Sequence, residues 1–447
     1  MTQLYAEVRA PENVLLPGEE GWDDARLAWN LAVDQRPEAV ALPESAEEVA
    51  NVVRWAAAEG YRVTAQSTGH NAASLGDLAG TVLVKLERLR GVTVDPEKRI
   101  ARAPAGTIWI EVVEAAAEHG LAALAGSSPD VGVVGYALGG GLSFLARKHG
   151  LMTNHVTAIE LVAADGELRR VDADNDPELF WALRGGGGSF GVVTAVEIEL
   201  LELDSVHAGH LWFPVERAAE VLRAWRDWTE TVPEEVTSIG RILQFPPIPE
   251  IPEPMRGNSF AVVQAIYCGD DGAEMDALLE PLRALGPAMD TFRPMSMVEL
   301  SHLHMDPDHP VPGAGDGGML DALTDETIDV FVREVVGKPI LSTEIRHYGG
   351  AVARPRPEHG AVSVFAAPYI MFAVGIAPTA EAKAAVHATV ASLMASLEPW
   401  QSGHTYLNFA ESRRDSRTLW PELVHARLKR IKAEVDPADL FRSNHPL

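Results

Sequence analysis

The segment Gln66-Ser67-Thr68-Gly69-His70-Asn71 decides how the rest of this chain is interpreted. It follows an apolar run, residues 61–65, that is typical of a β-strand, and it then changes to small, polar and glycine residues. Because no bulky side chain blocks the approach, successive backbone N–H groups of such a turn can point at an anion. The imidazole of His70 is a good nucleophile near neutral pH. The segment therefore predicts a turn that holds a cofactor pyrophosphate, with His70 in contact with the cofactor or bonded to it.

The composition limits the classes of protein that the chain can belong to. Its 447 residues exceed what one ordinary core accommodates, so we expect two or three domains. The net charge of −27 disfavours nucleic acid and anionic membrane surfaces as partners. No apolar run reaches the roughly 20 residues of a membrane span, and residues 1–7 lack the pattern of a secretion signal. The single cysteine, Cys268, excludes an internal disulfide and a Cys-based zinc site. We therefore expect a cytoplasmic protein.

The first two hundred residues alternate helices, strands and glycine-rich turns. A capping box, Ser45 to Glu48, begins one helix, and Gly60 ends it. The glycine-rich residues 126–141 are predicted to lead into a helix that ends at Gly150. The predicted helices are 46–59, 107–119 and 177–184, and the predicted strands are 61–65, 81–84, 92–94, 100–103, 156–164 and 192–201.

Near residue 205 the pattern changes to two helix–strand–strand–helix units. This order predicts an antiparallel sheet covered by helices and made of two similar halves. A tail from Thr405 carries a tyrosine motif and a helix over 419–434. The first unit is predicted at 214–230, 236–245, 259–268 and 272–285, and the second at 324–336, 340–348, 362–374 and 379–397.

The glycine run at 185–191 matches two motifs that do not fit their context. It contains a G-x-G-x-x-G dinucleotide fingerprint and a G-x-S-x-G nucleophile elbow. Both motifs require a strand before the turn and a helix after it, whereas here a helix precedes and a strand follows. We therefore interpret the run as a turn whose backbone is approached closely by a flat or charged group, the alternative being a plain connection.

The histidines His302, His304 and His309 lie close together in the sequence, next to carboxylates. Such a set could bind a divalent metal ion. The segment runs into the proline- and glycine-rich residues 310–318, which predict a loop with no strand beneath it. A polar surface loop is therefore expected here rather than a metal site.

Together these segments resemble the FAD-linked oxidases of the vanillyl-alcohol oxidase and p-cresol methylhydroxylase superfamily, and within it the berberine bridge enzyme-like subgroup. The resemblance covers residues 17–204 and 404–446, and it also rests on the motifs at 180–193, 406–409 and 427–444. It implies an α+β, bilobal protein. Residues 1–204 would form a PCMH-type FAD-binding domain, completed by a berberine bridge enzyme-like segment at 404–447. Residues 205–403 would form a substrate domain, with its helix-covered antiparallel sheet over the flavin ring.

The resemblance also implies which residues bind FAD. His70 would be bonded to the flavin 8α-methyl carbon, the alternative being a turn histidine beside non-covalent FAD. Doubly linked members carry a cysteine where this chain has Ser128, so no cysteinyl link is expected. Tyr136 replaces a histidine of the family, and Gln66 replaces an arginine, so one phosphate charge must be met by another group. The implied cofactor-binding residues are Gln66, Ser67, Thr68, Gly69, His70, Asn71, Ser127, Ser128, Asp130, Val131, Gly132, Tyr136, Gly188, Gly191, Val193, Asn408 and Asn444.

The implied reaction moves a hydride from a C–H bond beside an oxygen or nitrogen atom to flavin N5, with O₂ reoxidising the flavin and yielding H₂O₂. Tyr406 is the candidate base or hydrogen-bond partner, and a nearby cation would have to lower its pKa from about 10. Asn408, expected on the same strand face, would position flavin or substrate; packing is the alternative role for both residues.

Further residues are candidates for contact with the small-molecule substrate. Glu344, Arg346 and Tyr348 alternate on one predicted strand, so their shared face is either the polar end of the pocket or a solvent-exposed side. Tyr369 is a weaker candidate. A dehydrogenase with another acceptor, a metal-dependent hydrolase and a non-catalytic binding protein remain the rival functions.

Overall fold

The computed structural model describes residues 10–249 and 251–447. The prediction made from residues 1–7, that a secretion signal is absent, lies outside the described residues. Within the described part, every helix is too short or too polar to cross a membrane.

The first sheet has four strands and leads directly into the opening segment. Its order is Val14–Leu15, Ala39–Ala41, Thr81–Lys85 and Arg62–Gln66, and the last three strands are parallel. All five residues of Thr81–Lys85 are buried, as expected for a parallel strand covered on both faces. The helix Ala46–Glu59 begins at Ser45, whose hydroxyl accepts the N–H of Glu48, and ends at Gly60, as predicted.

The second sheet is antiparallel and has five strands. It contains two hairpins, Thr93–Asp95 with Ile100–Pro104 and Val156–Val162 with Leu168–Asp172, and the helix Pro177–Leu183 begins with Asp176 as its N-cap. A separate two-stranded pairing joins Leu121–Ala122 to Leu201–Glu202. The strand order is Thr93–Asp95, Ile100–Pro104, Val192–Glu199, Val156–Val162 and Leu168–Asp172. The helices of this half are Trp22–Ala25, Ala46–Glu59, Trp109–Ala117, Val133–Leu138, Ala146–His149 and Pro177–Leu183.

One prediction in this half is wrong. The helix after the glycine-rich segment runs only over Val133–Leu138, and a separate short helix, Ala146–His149, precedes Gly150. Gly140 and Gly141 lie between them with φ of +117° and +75°. A left-handed backbone at two successive residues cannot continue a right-handed helix, so the chain turns here instead.

The third sheet has eight strands, and its strand pairs are antiparallel, as predicted. Each half runs strand, helix, strand, strand, helix, and the halves meet at the central pair Val236–Gln244 and Ser342–His347. The strand order is Met289–Asp290, Ser205–Pro214, Ser259–Tyr267, Val236–Gln244, Ser342–His347, Tyr369–Ile376 and Gly313–Leu320, with Arg293–Ser296 paired to Ser205–Pro214. The helices are Ala218–Thr229, Gly272–Arg283, Met297–Leu300, Asp325–Val335 and Ala380–Ser396.

The first strand of each half, Ser205–Pro214 and Gly313–Leu320, was not predicted from the sequence. The second was mistaken for a loop because it is rich in glycine. These glycines are required by close packing: a Cβ at Gly315 would lie 2.5 Å from the carbonyl oxygen of Ala373, and one at Gly317 would lie 2.8 Å from Phe409 Cβ.

The two faces of the large sheet have different partners. Its helices cover one face, where Trp225, Ile345 and Phe331 belong to one apolar cluster. The opposite face packs on the N-terminal half, where Ile239 and Ile370 share a cluster with Leu142, Phe144 and many other residues. Polar side chains on this inner face are therefore buried between the two halves of the molecule.

The C-terminal residues return to the first sheet. The helix Glu422–Val435 is followed by a segment that bonds to the strand Arg62–Gln66: Val63 N donates to Leu440 O, and Arg442 N donates to Val63 O, both at 2.8 Å. Short 3-10 turns lie at Ala73–Leu75, Met152–His155, Val215–Arg217, Gly350–Ala353, Glu398–Trp400, Leu407–Phe409 and Ser416–Thr418.

Candidate active site

A cavity lies where the opening segment, the two later glycine-rich segments, the C-terminal tail and the large sheet meet. Of the predicted cofactor-binding residues, only Asp130 is absent from its lining. Arg346 is the contribution of the large sheet, and Tyr406 and Arg442 come from the tail. The cavity therefore brings together residues that are far apart in the sequence.

Two glycines allow the walls of the cavity to approach each other. A Cβ at Gly132 would lie 2.7 Å from Ser67 Oγ, so the second glycine-rich segment contacts the opening turn directly. Gly69 has φ of +90°, and a Cβ there would lie 2.9 Å from Ala28 Cβ. Both positions therefore require glycine for steric reasons.

The opening turn carries polar atoms that lack partners among the described residues. Both amide atoms of Gln66 and the hydroxyl of Ser67 are buried without a hydrogen bond, and both residues line the cavity. Buried polar groups are nearly always satisfied in folded proteins, so these atoms indicate a polar ligand. Arg442, which Sequence analysis did not assign to the site, also lines the cavity, beside the strand that leads into Gln66.

His70 is held by three neighbours. Its ring stacks on Trp29 with centroids 4.0 Å apart and planes 18° apart. Nδ1 lies 2.8 Å from Thr68 Oγ1, and Nε2 lies 3.3 Å from Asp130 Oδ1, a close contact without the angle of a straight hydrogen bond. Trp29 was also missed from the sequence, because it lies in the irregular lead-in. The hydrogen bond from its backbone N to Thr68 O and its stacking on His70 place it here.

Asp130 accepts hydrogen bonds from two further groups. Trp29 Nε1 donates to Oδ2 at 2.5 Å, and Ser128 Oγ donates to Oδ1 at 3.0 Å. Burial alone would raise the pKa of this carboxyl group, but the contacts with His70, Trp29 and Ser128 outweigh burial and hold the pKa below its ordinary value. Asp130 is therefore a carboxylate at neutral pH.

Tyr406 and Asn408 lie at the 3-10 turn Leu407–Phe409, so the prediction that they share a strand face is wrong. The turn nevertheless joins them: Asn408 Nδ2 donates to Tyr406 Oη at 2.8 Å, and Leu142 N donates to the same oxygen at 3.2 Å. Burial and the neighbouring Tyr348 raise the pKa of Tyr406 above its ordinary value. Tyr406 is therefore a phenol that can donate a hydrogen bond, and the lowering of its pKa that a base would need is not found.

Glu344 and Arg346 are buried on the inner face of the large sheet, so the solvent-exposed alternative is wrong. Arg346 Nε donates to Glu344 Oε1 at 2.7 Å, and Arg346 Nη2 donates to Ser127 Oγ at 3.0 Å. Arg346 thus connects the sheet to the second glycine-rich segment and lines the cavity. Tyr348 is buried just beyond the end of the strand Ser342–His347, and Glu344 lies behind Arg346 rather than in the lining.

His304 corrects the prediction of a surface loop. It is buried, with Nε2 2.9 Å from Glu344 Oε2 and Nδ1 2.9 Å from Gln264 Oε1, whereas His302 and His309 are exposed. Burial lowers the pKa of His304. In the described part of the chain, these three histidines and the nearby carboxylates form no group that could hold a metal ion.

The charge of Glu344 follows from its partners. Burial alone would raise the pKa of this carboxyl group, but Arg346 and His304 outweigh burial and hold it well below its usual range. Glu344 is therefore ionised and paired at neutral pH.

Tyr369 is not part of the cavity, contrary to the prediction. Its hydroxyl lies 3.4 Å from Thr229 Oγ1, and its ring packs against Trp225 on the helix-covered face of the sheet. The prediction failed because the sequence does not show which face of this strand is the inner one.

Comparison with known proteins identifies the family. Residues 37–172 match the family model described as FAD binding domain. Over 99% of its length, the chain is 30% identical to (R)-6-hydroxynicotine oxidase of Paenarthrobacter nicotinovorans, of which it covers 98%. The chain belongs to the FAD-linked oxidases. This chain is also 33% identical to glucooligosaccharide oxidase of Sarocladium strictum, over 49% of this chain and 45% of that protein.

Solved structures have the same fold. Physcomitrella patens BBE-like 1 superposes with a TM-score of 0.83 at 20% identity and 96% coverage of both chains. The crystal structure of 6-hydroxy-D-nicotine oxidase from Arthrobacter nicotinovorans superposes with a TM-score of 0.84 at 24% identity and 98% coverage of both chains. These comparisons confirm the predicted family of FAD-linked oxidoreductases, the α+β fold and FAD as the cofactor.

The residues that line the cavity fit FAD. The unpaired amide of Gln66 and hydroxyl of Ser67 suit a polar group beside the opening turn. The glycines at 69 and 132 leave room for a ligand to approach the backbone, and Leu75, Leu86 and Ala105 supply apolar surface for flat rings.

Proposed function

We propose that this protein is an FAD-dependent oxidase that takes a hydride from a C–H bond next to an oxygen or nitrogen atom of an alcohol, sugar or amine-type small molecule. Dioxygen would be the electron acceptor, giving hydrogen peroxide. The observation that carries the proposal is the meeting of His70, Tyr406 and Arg346 in the lining of one cavity. The names of the relatives, which oxidise a hydroxynicotine and a glucooligosaccharide, give the range of substrates to test.

FAD supplies the hydride acceptor at N5, and the protein supplies position and electrostatics. Gln66, Ser67, Gly132 and the other cavity-lining residues of the two glycine-rich segments would hold the pyrophosphate. Arg442, which lines the same cavity, is our candidate for the phosphate charge that an arginine meets elsewhere in the family. The domains would be residues 1–204 with 404–447 for FAD and residues 205–403 for the substrate.

His70 would carry a single covalent bond to the flavin. Its ring is already fixed by Trp29 and Thr68, so little further order is lost when the bond forms. Ser128 lies in the lining where a cysteine would be needed for a second link. Cys268 is buried outside the cavity lining, where its thiol donates a hydrogen bond to Glu235 O. A single covalent link to the flavin is therefore expected.

Arg346, Tyr406 and Asn408 would act on the substrate. As hydride leaves a carbon, negative charge develops on the neighbouring oxygen or nitrogen, and a fixed hydrogen-bond donor and a buried cation stabilise it. The Tyr406 phenol supplies the donor, Arg346 supplies the charge, and Asn408 holds the phenol in place. The substrate proton would leave through water, since Glu344 is tied to Arg346 and His304.

The test begins with the spectrum of the purified protein before and after acid precipitation. Flavin that stays with the pellet in the wild type, and is lost in His70→Ala, would support the covalent link. Reduction by a donor panel of sugars, alcohols and hydroxylated cyclic amines is then followed anaerobically. Rapid return of the oxidised spectrum with stoichiometric H₂O₂ on adding O₂ is the expected result. Slow reoxidation by O₂, with rapid reoxidation by a quinone, would show a dehydrogenase instead.

A further inference from the structure

Asp130 is the one predicted cofactor-binding residue that does not line the cavity. It lies behind His70, where its two oxygens contact Trp29 Nε1, Ser128 Oγ and His70 Nε2 at 2.5, 3.0 and 3.3 Å. Its side chain is 16% exposed. A carboxylate in this position is directed at the histidine and away from the space that a ligand would occupy.

These contacts define the tautomer of His70. A carboxylate oxygen beside Nε2 requires the ring proton to lie on Nε2, because two lone pairs would otherwise face each other. In the neutral ring, Nδ1 then keeps its lone pair, and the hydroxyl of Thr68, 2.8 Å away, donates its hydrogen to it. Nε2 itself is fully buried. The nitrogen that can react with a group in the cavity is therefore Nδ1.

We propose that Asp130 is a positioning residue that activates Nδ1 of His70 for covalent attachment of FAD. The inference rests on the proposed function, which makes His70 the anchor. A carboxylate partner fixes an imidazole's tautomer and orientation and raises the basicity of its other nitrogen, as it does for histidines that bind metals. Trp29 supports the same arrangement, since it donates to the carboxylate and stacks on the ring.

The step balances with dioxygen as oxidant. A bond forms between Nδ1 and the 8α-carbon of FAD, while one 8α C–H bond and the Nε2–H bond break. The two hydrogens are lost as two protons and two electrons, which reduce O₂ to H₂O₂. When Nδ1 forms the new bond, the ring carries a positive charge until Nε2 loses its proton. Asp130, adjacent to Nε2, stabilises that charge and receives the proton.

The opposing explanation is that Asp130 has only a structural role, in which its hydrogen bond with Trp29 connects the lead-in segment to the second glycine-rich segment. Three variants separate the two explanations. Asp130→Asn keeps the size of the side chain but removes the charge, and Asp130→Glu keeps the charge. Trp29→Phe removes the tie to Asp130 but leaves the carboxylate and an aromatic ring against His70. Asp77→Asn, at an exposed aspartate that caps a local turn, is the matched control.

The experiment measures the rate of covalent attachment separately from binding. Apoprotein from a riboflavin-starved host is mixed with FAD, binding is followed by quenching of flavin fluorescence, and attachment by acid-stable flavin and intact mass over time. We expect Asp130→Asn to bind FAD normally but attach it on the order of 10–100-fold more slowly, the range of losses found when the carboxylate partner of a metal-bound histidine is removed. Asp130→Glu should recover part of the rate, Trp29→Phe should lose less than Asp130→Asn because the carboxylate remains, and Asp77→Asn should stay close to the wild type.

Attachment by Asp130→Asn at the wild-type rate would overturn the inference, as would an equal loss in Trp29→Phe. Different results would refute the underlying proposal that His70 is the covalent anchor of FAD. Flavin that acid releases from the wild-type protein, or acid-stable flavin in His70→Ala, would refute His70 as the anchor and the role of Asp130 with it. Normal attachment in Asp130→Asn together with its loss in His70→Ala would refute only the role of Asp130.

Discussion

Replacing Glu344 by glutamine tests the buried charge network that Glu344 forms with Arg346 and His304 on the inner face of the large sheet. The carboxylate contacts Arg346 Nε at 2.7 Å and His304 Nε2 at 2.9 Å, and the three side chains are 3%, 6% and 4% exposed. Water can therefore screen very little of the interaction. Glutamine offers one acceptor oxygen where two donors converge, so its NH₂ group must face either the guanidinium or the imidazole.

The expected cost follows from this geometry. Removing one partner of a buried, hydrogen-bonded ion pair costs about 3–5 kcal/mol, because the remaining charge stays buried without compensation. Among the described residues, the side chain of Arg241, also buried on this face, donates hydrogen bonds to Ser342 Oγ and His304 O and to no carboxylate, so it adds a second positive charge. We expect Glu344→Gln to lose stability in this range. The double variant with Arg346→Met should lose less than the sum of the single losses.

Urea unfolding of apoprotein, followed by the fluorescence of the ten tryptophans, measures the loss. Glu280→Gln, at an exposed glutamate on the helix Gly272–Arg283, is the control and should unfold like the wild type. The pKa of Glu344 is lower in the folded protein than the value of about 4.3 in an unfolded chain. Its stabilising contribution is therefore present above that pH and is lost as the pH falls below it, and Glu344→Gln should lack this part of the acid sensitivity. A loss below about 1 kcal/mol, typical of exposed pairs, would refute the assignment of a buried ion pair.

Three further predictions concern the cavity. Tyr406→Phe should keep its flavin but lower the rate of flavin reduction by roughly 100-fold or more, as when one fixed donor to a developing charge is removed; an unchanged rate in stopped flow would contradict the donor role. Gly139→Ala places a Cβ 1.7 Å from Asn408 Oδ1 and should destabilise the apoprotein by about 1–3 kcal/mol, whereas Gly135→Ala, whose Cβ would have no described neighbour within 4 Å beyond its own stretch of helix, should not. Arg442→Met should weaken FAD binding by an amount that shrinks as salt rises; a salt-independent loss would argue against a phosphate contact.

Local signals predicted the elements that local chemistry determines. The helix Ala46–Glu59 has a serine cap, an amphipathic face and a terminal glycine, and the hairpins have their turn residues, so each could be read from a few neighbouring residues. The strand Gly313–Leu320 could not be read in this way. Its glycines are required because the side chain of Phe409 and the backbone of Ala373 pack against them, and both residues are distant in the sequence.

The candidate site shows the same division. The turns Gln66–Asn71 and Ser127–Gly132 were recognised in the sequence as motifs, and most of their residues line the cavity. The contact between Trp29 and His70 could not be predicted from the sequence, because no periodicity or motif marks an aromatic residue in an irregular segment. The pKa of Tyr406 was likewise beyond sequence reasoning, since its direction depends on burial and on the donors that surround the hydroxyl.

The C-terminal wall of the cavity has a consequence for synthesis of the enzyme. Leu440 and Arg442 bond to Val63 in the strand that leads into the cofactor turn, and the side chain of Asn444 bonds to the carbonyl of Asn71. A ribosome makes this turn more than 360 residues before the segment that closes it, as the separation of 373 residues between Asn71 and Asn444 shows. The nascent chain therefore cannot complete this wall until residues 440–444 have been made. We expect FAD to be fully enclosed only after that point, and a chain that stops short of residue 440 would lack this wall however well its first domain folds.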